Sequence, residues 1–559
     1  KHDKRIADTY VKFTEASLKK SLYDSYIKAF RWASDRISQD EGGVVAFISN
    51  GAWLDSSAGS GIRRCFEEEF TSIYVLNLRG NQRTSGELSR KEGGKIFGSG
   101  SRTPITITFL VKNPVKKGQK AVIHYHDIGD YLTREQKLKM VKDFRSISSQ
   151  KLEWQIITPN EKADWINQRG GLYDTLIPFV PEKKKNINAN SVFSNYSTGV
   201  ITNRESWVYN SNLNTLTDNC LKLISFYNSE TNRLINALGQ NNNLVASHFV
   251  DKDETKIKWD EALFKYAQKG KELQFEPKTI VDAIYRPYFK QHLYFNKELN
   301  WSRYLMPSFF PKGHDNIAIC VNGSAGQKEF SVSITSHIVD RSSIGAGQCF
   351  PLYWYEENKN HQATLFDDAE TDKYIRRDGI TDWILKEVRS RFGGSKAITK
   401  EHIFYYVYGL IHSRQYRERF VDDLKKSLRS IPIVDNVQDF MSFYKAGKEL
   451  ADLHLNYEQN INEQAVRQDG DYLFFAAMPM IAHRTCGVRV NGDMDIWQNN
   501  WTNENYQYFA VDKIKFAKVR DENGKLVADK TRIIYNDHIA IENIPLKAYE
   551  YVVNGKSVI

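Results

Sequence analysis

At 559 residues the chain is too long for one compact core, and with 41% hydrophobic and 13% aromatic residues it is too apolar for wholesale disorder, so two or more folded domains are expected. Lys and Arg outnumber Asp and Glu by 78 to 68, a formal charge of +10 that favours an acidic partner without naming one. The five cysteines are widely spaced, no apolar run approaches the roughly 20 residues that span a bilayer, and Lys1, Asp3, Lys4 and Arg5 stand where a signal peptide would be apolar; the expectation is a soluble cytoplasmic protein without a disulfide framework or membrane span.

Leu18, Leu22, Ile27, Phe30, Ala33 and Ile37 recur at helical spacing until Gly42-Gly43 breaks the pattern. The continuous apolar run Val44 to Ile48 then reads as a strand covered on both faces. Ser49-Asn50-Gly51 falls at its carboxyl end, the edge where open α/β sheets bind ligands. Ile62, Cys65, Phe66 and Phe70 mark a second helix, and Ile73 to Leu78 a second strand. A long glycine-rich loop, Arg79 to Arg102, leads into the alternating strand Ile105, Ile107, Phe109, Val111, which is expected to pair antiparallel with the strand before it.

Charge concentrates here. Between Arg79 and Lys120 stand ten basic residues, Arg79, Arg83, Arg90, Lys91, Lys95, Arg102, Lys112, Lys116, Lys117 and Lys120, against Glu87 and Glu92. Cations placed at phosphates release condensed counterions, so such a segment can supply sequence-independent affinity for nucleic acid; the plainer reading is a solvated loop. Val122, His124 and His126 share one side of a further strand, but two histidines beside Asp127 without more ligands do not make a metal site, and none is expected.

Thr158-Pro159-Asn160, Trp165 and the run Pro181 to Asn186 form a polar connection, which divides the chain into a domain over 1–160 and another over 161–559. The segment around Asn195, through Asn243, is rich in Asn, Ser and Thr, side chains that read base edges or make turns. Tyr285-Arg286-Pro287-Tyr288 interleaves cation and aromatic, a pattern that suits a sugar-phosphate contact or a structural corner. Between about 400 and 460 the spacing predicts helices: two broken near His412-Ser413, the second carrying Arg414, Arg417, Arg419, Lys425, Lys426 and Arg429 outward until Pro432, then a third from Phe440 to Leu453. Beyond Gly470 strands are expected at Tyr472 to Ala477, Lys513 to Lys518, Thr531 to Tyr535 and Tyr549 to Val553. No Walker-type phosphate loop, Gly-x-Ser-x-Gly elbow or His-Glu-x-x-His helix occurs.

Several runs are specific enough to name a family. Gly42–Gly51, Asn77–Glu87 and Lys95–Arg102 resemble the amino-methyltransferase portion of the Type ISP restriction–modification enzymes, and Ala283–Phe295, Tyr406–Arg417, Leu453–Glu458 and Tyr551–Ser557 resemble their target recognition segments. The resemblance implies an α/β fold: the C-terminal half of a Rossmann-like methyltransferase sheet, its last strand antiparallel, followed by a large mixed α/β target recognition domain. It implies recognition of double-stranded DNA and adenine N6-methylation with S-adenosylmethionine. The family's Asn-Pro-Pro-Tyr-type motif and Phe-x-Gly-x-Gly loop are absent from this chain. Its catalytic residues, donor site, nuclease and ATP- and Mg2+-using translocase are therefore expected upstream in the same polypeptide, and the segment alone is expected to be inactive. By its distance from Phe109, Phe97 matches the aromatic that packs on a flipped base in related adenine methyltransferases; the other reading makes it a loop anchor in the core. Arg79, Arg83, Arg90, Lys91, Lys95, Arg102, Arg286 and Asn195 are the candidate DNA contacts. The alternative is a non-catalytic, sequence-specific DNA-binding module on a methyltransferase-like scaffold.

Overall fold

The computed structural model describes every residue except 1, 15, 17–18, 85, 99, 117, 182–189, 324–328, 359–373, 428, 458–486, 491–492, 497–513, 523, 535–538, 554 and 558–559. The expected strand at Tyr472 to Ala477, Leu18, Lys117, Cys486 and the Lys183 to Lys185 run lie outside the described residues.

Five strands build the first sheet: β1 (Gly43–Asn50), β2 (Ser72–Asn77), β3 (Ile105–Lys112), β4 (Val122–Asp127) and β5 (Gln155–Ile157), in the order β1-β3-β2-β4-β5. As the alternation of β3 suggested, that strand lies antiparallel to β2, and it inserts between β1 and β2. β2 runs parallel to β4. Opposing Leu110 with both Val45 and Ile73, and Ile73 with Ile123, brings one apolar row onto one face. Helices α1 (His2–Ile6), α2 (Ser25–Ser34) and α3 (Ser60–Glu69) cover that face with Ile6, Ile27, Phe30, Ile62 and Phe66. After the short α4 (Gly86–Glu92), helix α5 (Arg134–Phe144) covers part of the opposite face, over Leu76, Ile105 and Ile128.

The reading of Val44 to Ile48 as a strand covered on both faces is corrected. β1 is an edge strand, and Val44 and Ile48 are 58% and 62% exposed on the side that no helix of the described residues covers. Continuous apolarity reports what a strand can tolerate on both faces, not whether a cover is present.

The chain changes core between Ile166 and Tyr173. Trp165 packs on Trp53 in the first core, with ring centroids 5.6 Å apart, whereas Tyr173, Phe179 and Phe193 belong to a second. The region that follows is mixed α/β with two cores separated by one sheet. In the strand Ala318–Val321, Ala318 and Cys320 face one core while Ile319 and Val321 face the other, the period of two expected of a strand between two layers. The polar stretch after Asn195 does not stay in turns. Asn212 caps the 26-residue helix Leu213–Leu238, whose Leu216, Cys220, Leu223, Tyr227 and Leu234 are buried while its Asn and Ser residues mostly face outward.

Around residues 400–460 the helices are Lys400–His412, Arg414–Arg419, Val421–Lys426 and Val437–Leu455. Ser413 caps the second as its sequence suggests, but the helix breaks at Phe420 and only part of its basic face stays outward, with Arg414 and Arg419 exposed. Lys426 and Arg429 are buried: Lys426 donates to the Ile166 and Asn167 carbonyls, and Arg429 to the Asn322 carbonyl at 2.7 Å. The last described strands include Lys515–Arg520, Leu526–Ile534 and Ile539–Glu542, and a terminal hairpin, Val552–Val553 with Lys556–Ser557, returns to the core around Tyr288 and Tyr457.

Candidate nucleic-acid interface

The parallel ends of β1, β2 and β4 form one carboxyl edge, and the basic loop rises from it between β2 and β3. Asn50 closes the end of β1 by accepting the Ala52 amide at 3.0 Å. At the end of β2, Asn77 donates to Tyr125 and Asp127, and its side-chain oxygen accepts the amide of Arg79, which sits in the left-handed region at φ 54°. That conformation turns Arg79 back over the sheet. Its guanidinium bonds Asp127 at 2.6 Å and also pairs with Asp130, and although burial disfavours its charge, the two carboxylates raise its pKa. Arg79 is thus spent inside the protein, holding the loop to the end of β4. The sequence signal for this was Asp127, legible only once β2 and β4 are known to be neighbours.

The base of the loop is tied across. Gly80 donates to the Glu92 carbonyl, Gln82 bonds Arg102 and Gly93, and fully buried Lys137 of α5 donates to the Glu92 carbonyl at 2.6 Å and the Gly94 carbonyl at 2.9 Å. Burial pulls the Lys137 ammonium down to about 8. Sequence reading had passed over this lysine. Within the loop α4 carries Glu87, which accepts from Tyr131 and Arg90. Arg83, Arg90, Lys91 and Arg102 are exposed and Lys95 is half-buried. Ile96 plugs the core under α5, so Ile96, rather than Phe97, is the anchor; Phe97 stands 46% exposed beside it. A side chain on Gly86 would meet the Gly555 carbonyl at 2.6 Å, so the amino end of α4 abuts the terminal hairpin.

The set of ten basic residues therefore divides. Lys112 is buried at the far end of β3, and Lys116 and Lys120 lie beyond it on the β3–β4 connection, where Lys120 pairs with Glu68. Because β3 runs away from the carboxyl edge, the described residues of 113–121 sit at the opposite end of the sheet from those of 83–102. Contiguity in sequence overstated the patch; five cations stay together on the loop.

The remaining candidates lie in the second region. Asn195 is half-buried and its side chain accepts the amide of Tyr196. Arg286 stands at the tip of the hairpin formed by Ile280–Arg286 and Phe289–Tyr294. His124 stacks on Tyr74 at 4.4 Å and His126 faces the Glu153 carbonyl, and among the described residues no group of three or more His, Cys, Asp or Glu side chains is placed to hold a metal ion.

The model of the Type ISP C-terminal specificity domain matches residues 191–559, well over half of the chain. The chain belongs to the Type ISP restriction–modification family. Three solved structures are similar over all of it: a nuclease-deletion mutant of the Type ISP enzyme LlaGI in complex with a DNA substrate mimic, 34% identical with a TM-score of 0.75; the ATP-dependent Type ISP enzyme LlaBIII bound to DNA, 32% identical with a TM-score of 0.76; and a DrdV–DNA complex, 28% identical with a TM-score of 0.75. This Type ISP chain spans 38%, 32% and 49% of their respective lengths. A comparison with curated protein sequences gives no match. Among the described residues no helix is long and apolar enough to cross a membrane.

Proposed function

We propose that this chain is the DNA-reading part of a Type ISP enzyme together with the substrate side of its adenine N6-methyltransferase: the basic loop grips the duplex backbone while residues 191–559 read its sequence. The observation that carries the reading is a rigidly based loop with Arg83, Arg90, Lys91 and Arg102 exposed and Lys95 half-buried, on a chain whose remaining two thirds match a specificity domain. Cations held on a fixed scaffold lose little freedom on meeting phosphates, and counterion release favours the contact.

Exposed Phe97, on the far limb of the same loop, is the residue offered to an extruded adenine, since enzymes that modify a base inside a duplex hold it against aromatic faces. Stacking of this kind is worth about 1–3 kcal/mol per base. In the intact polypeptide Phe97→Ala should therefore lower adenine methylation by roughly fivefold to a hundredfold while DNA affinity changes little. Equal loss of both would return Phe97 to a packing role.

S-adenosylmethionine is placed mainly on residues upstream of this segment. The engagement of Asn50, Asn77, Arg79 and Asp127 by neighbouring protein groups at the carboxyl edge supports that placement. The methyl donor, the catalytic motif, the nuclease and the ATP- and Mg2+-dependent motor are assigned to other parts of the polypeptide.

A further inference from the structure

The hairpin of Ile280–Arg286 and Phe289–Tyr294 turns through Pro287 and Tyr288, and Tyr288 occupies the left-handed region at φ 54°. A buried tyrosine takes that conformation only where its surroundings hold it. Its hydroxyl lies 2.8 Å from that of Tyr551, anchoring the turn from beneath. The residues on either side are left outward: the Arg286 side chain is 45% exposed and Phe289 is 46% exposed.

Arg286 is held more tightly than its exposure would require. Its guanidinium lies 3.9 Å from the centre of the Tyr285 ring, donates to the Tyr285 carbonyl at 2.6 Å and stands 3.6 Å from the Asp340 carboxylate. Tyr285 is itself packed against buried Tyr209, with ring centroids 4.9 Å apart. Asp340 follows the short strand Ile338–Val339, which runs parallel to Ile280–Arg286; its amide donates to the Ile284 carbonyl at 2.9 Å and its carboxylate accepts the Ser342 amide at 2.8 Å. Burial raises the Asp340 carboxyl to about 6, against the Ser342 amide and the Arg286 charge, which favour ionisation. A ring face, a carbonyl and a carboxylate thus restrain the guanidinium, both polar contacts falling on one of its nitrogens, and among the described residues its other N–H donors remain for a ligand.

We infer that Arg286 reads a guanine through its O6 and N7 edge, and that Asp340 is the positioning residue that aims it. The inference rests on the reading of this chain as DNA-recognising and adds the base class and the residue. A phosphate also accepts a planar fork, but a backbone contact carries no sequence information and acts alike at every position, whereas a base-edge contact is confined to one base pair.

The test is selection from a random double-stranded DNA library by the full chain, with the bound fraction sequenced. If no sequence is enriched by the unaltered protein, the DNA-recognition reading falls and takes this inference with it. If a sequence is enriched, Arg286→Ala should lose roughly tenfold to a hundredfold of the preference at a single G·C pair and leave the other positions intact. Arg286→Lys should not restore it, and Asp340→Asn should blur the same pair. Arg286 is a surface side chain, so its two variants carry the test even if Asp340→Asn folds poorly. An unchanged preference in Arg286→Ala, or a uniform weakening at every position with a shallower salt dependence, would overturn base reading by Arg286.

Discussion

His454 is the residue whose burial has the plainest thermodynamic consequence. It lies between Tyr408, 2.6 Å away, and Tyr551, 3.1 Å away, and burial with the nearby Arg417 charge lowers its pKa to about 3. A histidine that is neutral when folded but titrates near 6.5 when unfolded binds more protons in the unfolded chain between those two values. Stability is therefore expected to be lost as pH falls below about 6.5, by up to about 1.4 kcal/mol per pH unit from this group. His454→Gln should flatten that part of the stability-versus-pH curve, checked by denaturant unfolding between pH 6.5 and 4; an unchanged slope would place the titration elsewhere. Lys137 gives a counterpart in alkali. Its folded pKa near 8 is below the unfolded value, so its contribution to stability rises as pH passes from about 8 to 10.5. Lys137→Met should remove that rise, lower stability by about 1–3 kcal/mol through the stranded Gly94 carbonyl, and speed tryptic cutting within residues 83–102.

At the scale of elements, the helices Lys400–His412 and Val437–Leu455 touch backbone to backbone. A Cβ on Gly409 would meet the Phe443 carbonyl at 2.3 Å, and one on Gly447 the Tyr405 carbonyl at 2.0 Å. Neither contact is with a movable side chain, so Gly409→Ala or Gly447→Ala should cost about 1–3 kcal/mol, whereas Gly171→Ala, with open space around it, should be near neutral; thermal unfolding of the three variants decides. These helices were legible from apolar spacing and from Ser413, and the first sheet was legible from its runs of apolar residues and the glycines between them. What escaped reading depended on partners distant in sequence. Lys426 and Arg429 look like an outward basic face until the carbonyls of Ile166, Asn167 and Asn322 are brought beside them. Arg79 and Lys112 look like phosphate contacts until Asp127 and the far end of β3 are placed. Phe97 looked like a core anchor on one reading, and only the depth of Ile96 shows that the neighbouring residue has that task.

For the molecule as a whole, the relation between the two regions is set at a buried charge centre. Asp164 of the connection faces Arg169 at 2.7 Å, Arg63 of α3 at 3.4 Å and Lys426 of the second region at 3.6 Å, and Lys426 also pairs with Asp55 at 2.7 Å. Arg63 further donates to the Trp53 and Ala163 carbonyls. Removing one member strands the others, and breaking a buried pair costs about 3–5 kcal/mol. Lys426→Met should lower the unfolding temperature and separate the transitions of the two regions in calorimetry; a single transition at the original temperature would mean that the seam is held by its apolar contacts. A fixed seam matters to the proposed function because the basic loop and the Arg286 hairpin belong to different regions, and one duplex can engage both only at a set angle. The most direct measurement is the salt dependence of DNA affinity for three proteins: the unaltered chain, one with Arg83, Arg90, Lys91, Lys95 and Arg102 changed to alanine, and one with Lys116 and Lys120 changed to alanine. If the loop meets the backbone, the first change should flatten the logarithmic salt slope by roughly 0.9 for each phosphate released, up to about 4.5, and the second should leave it as it was. Equal effects from the two ends of the sheet, or no effect from the loop, would contradict it.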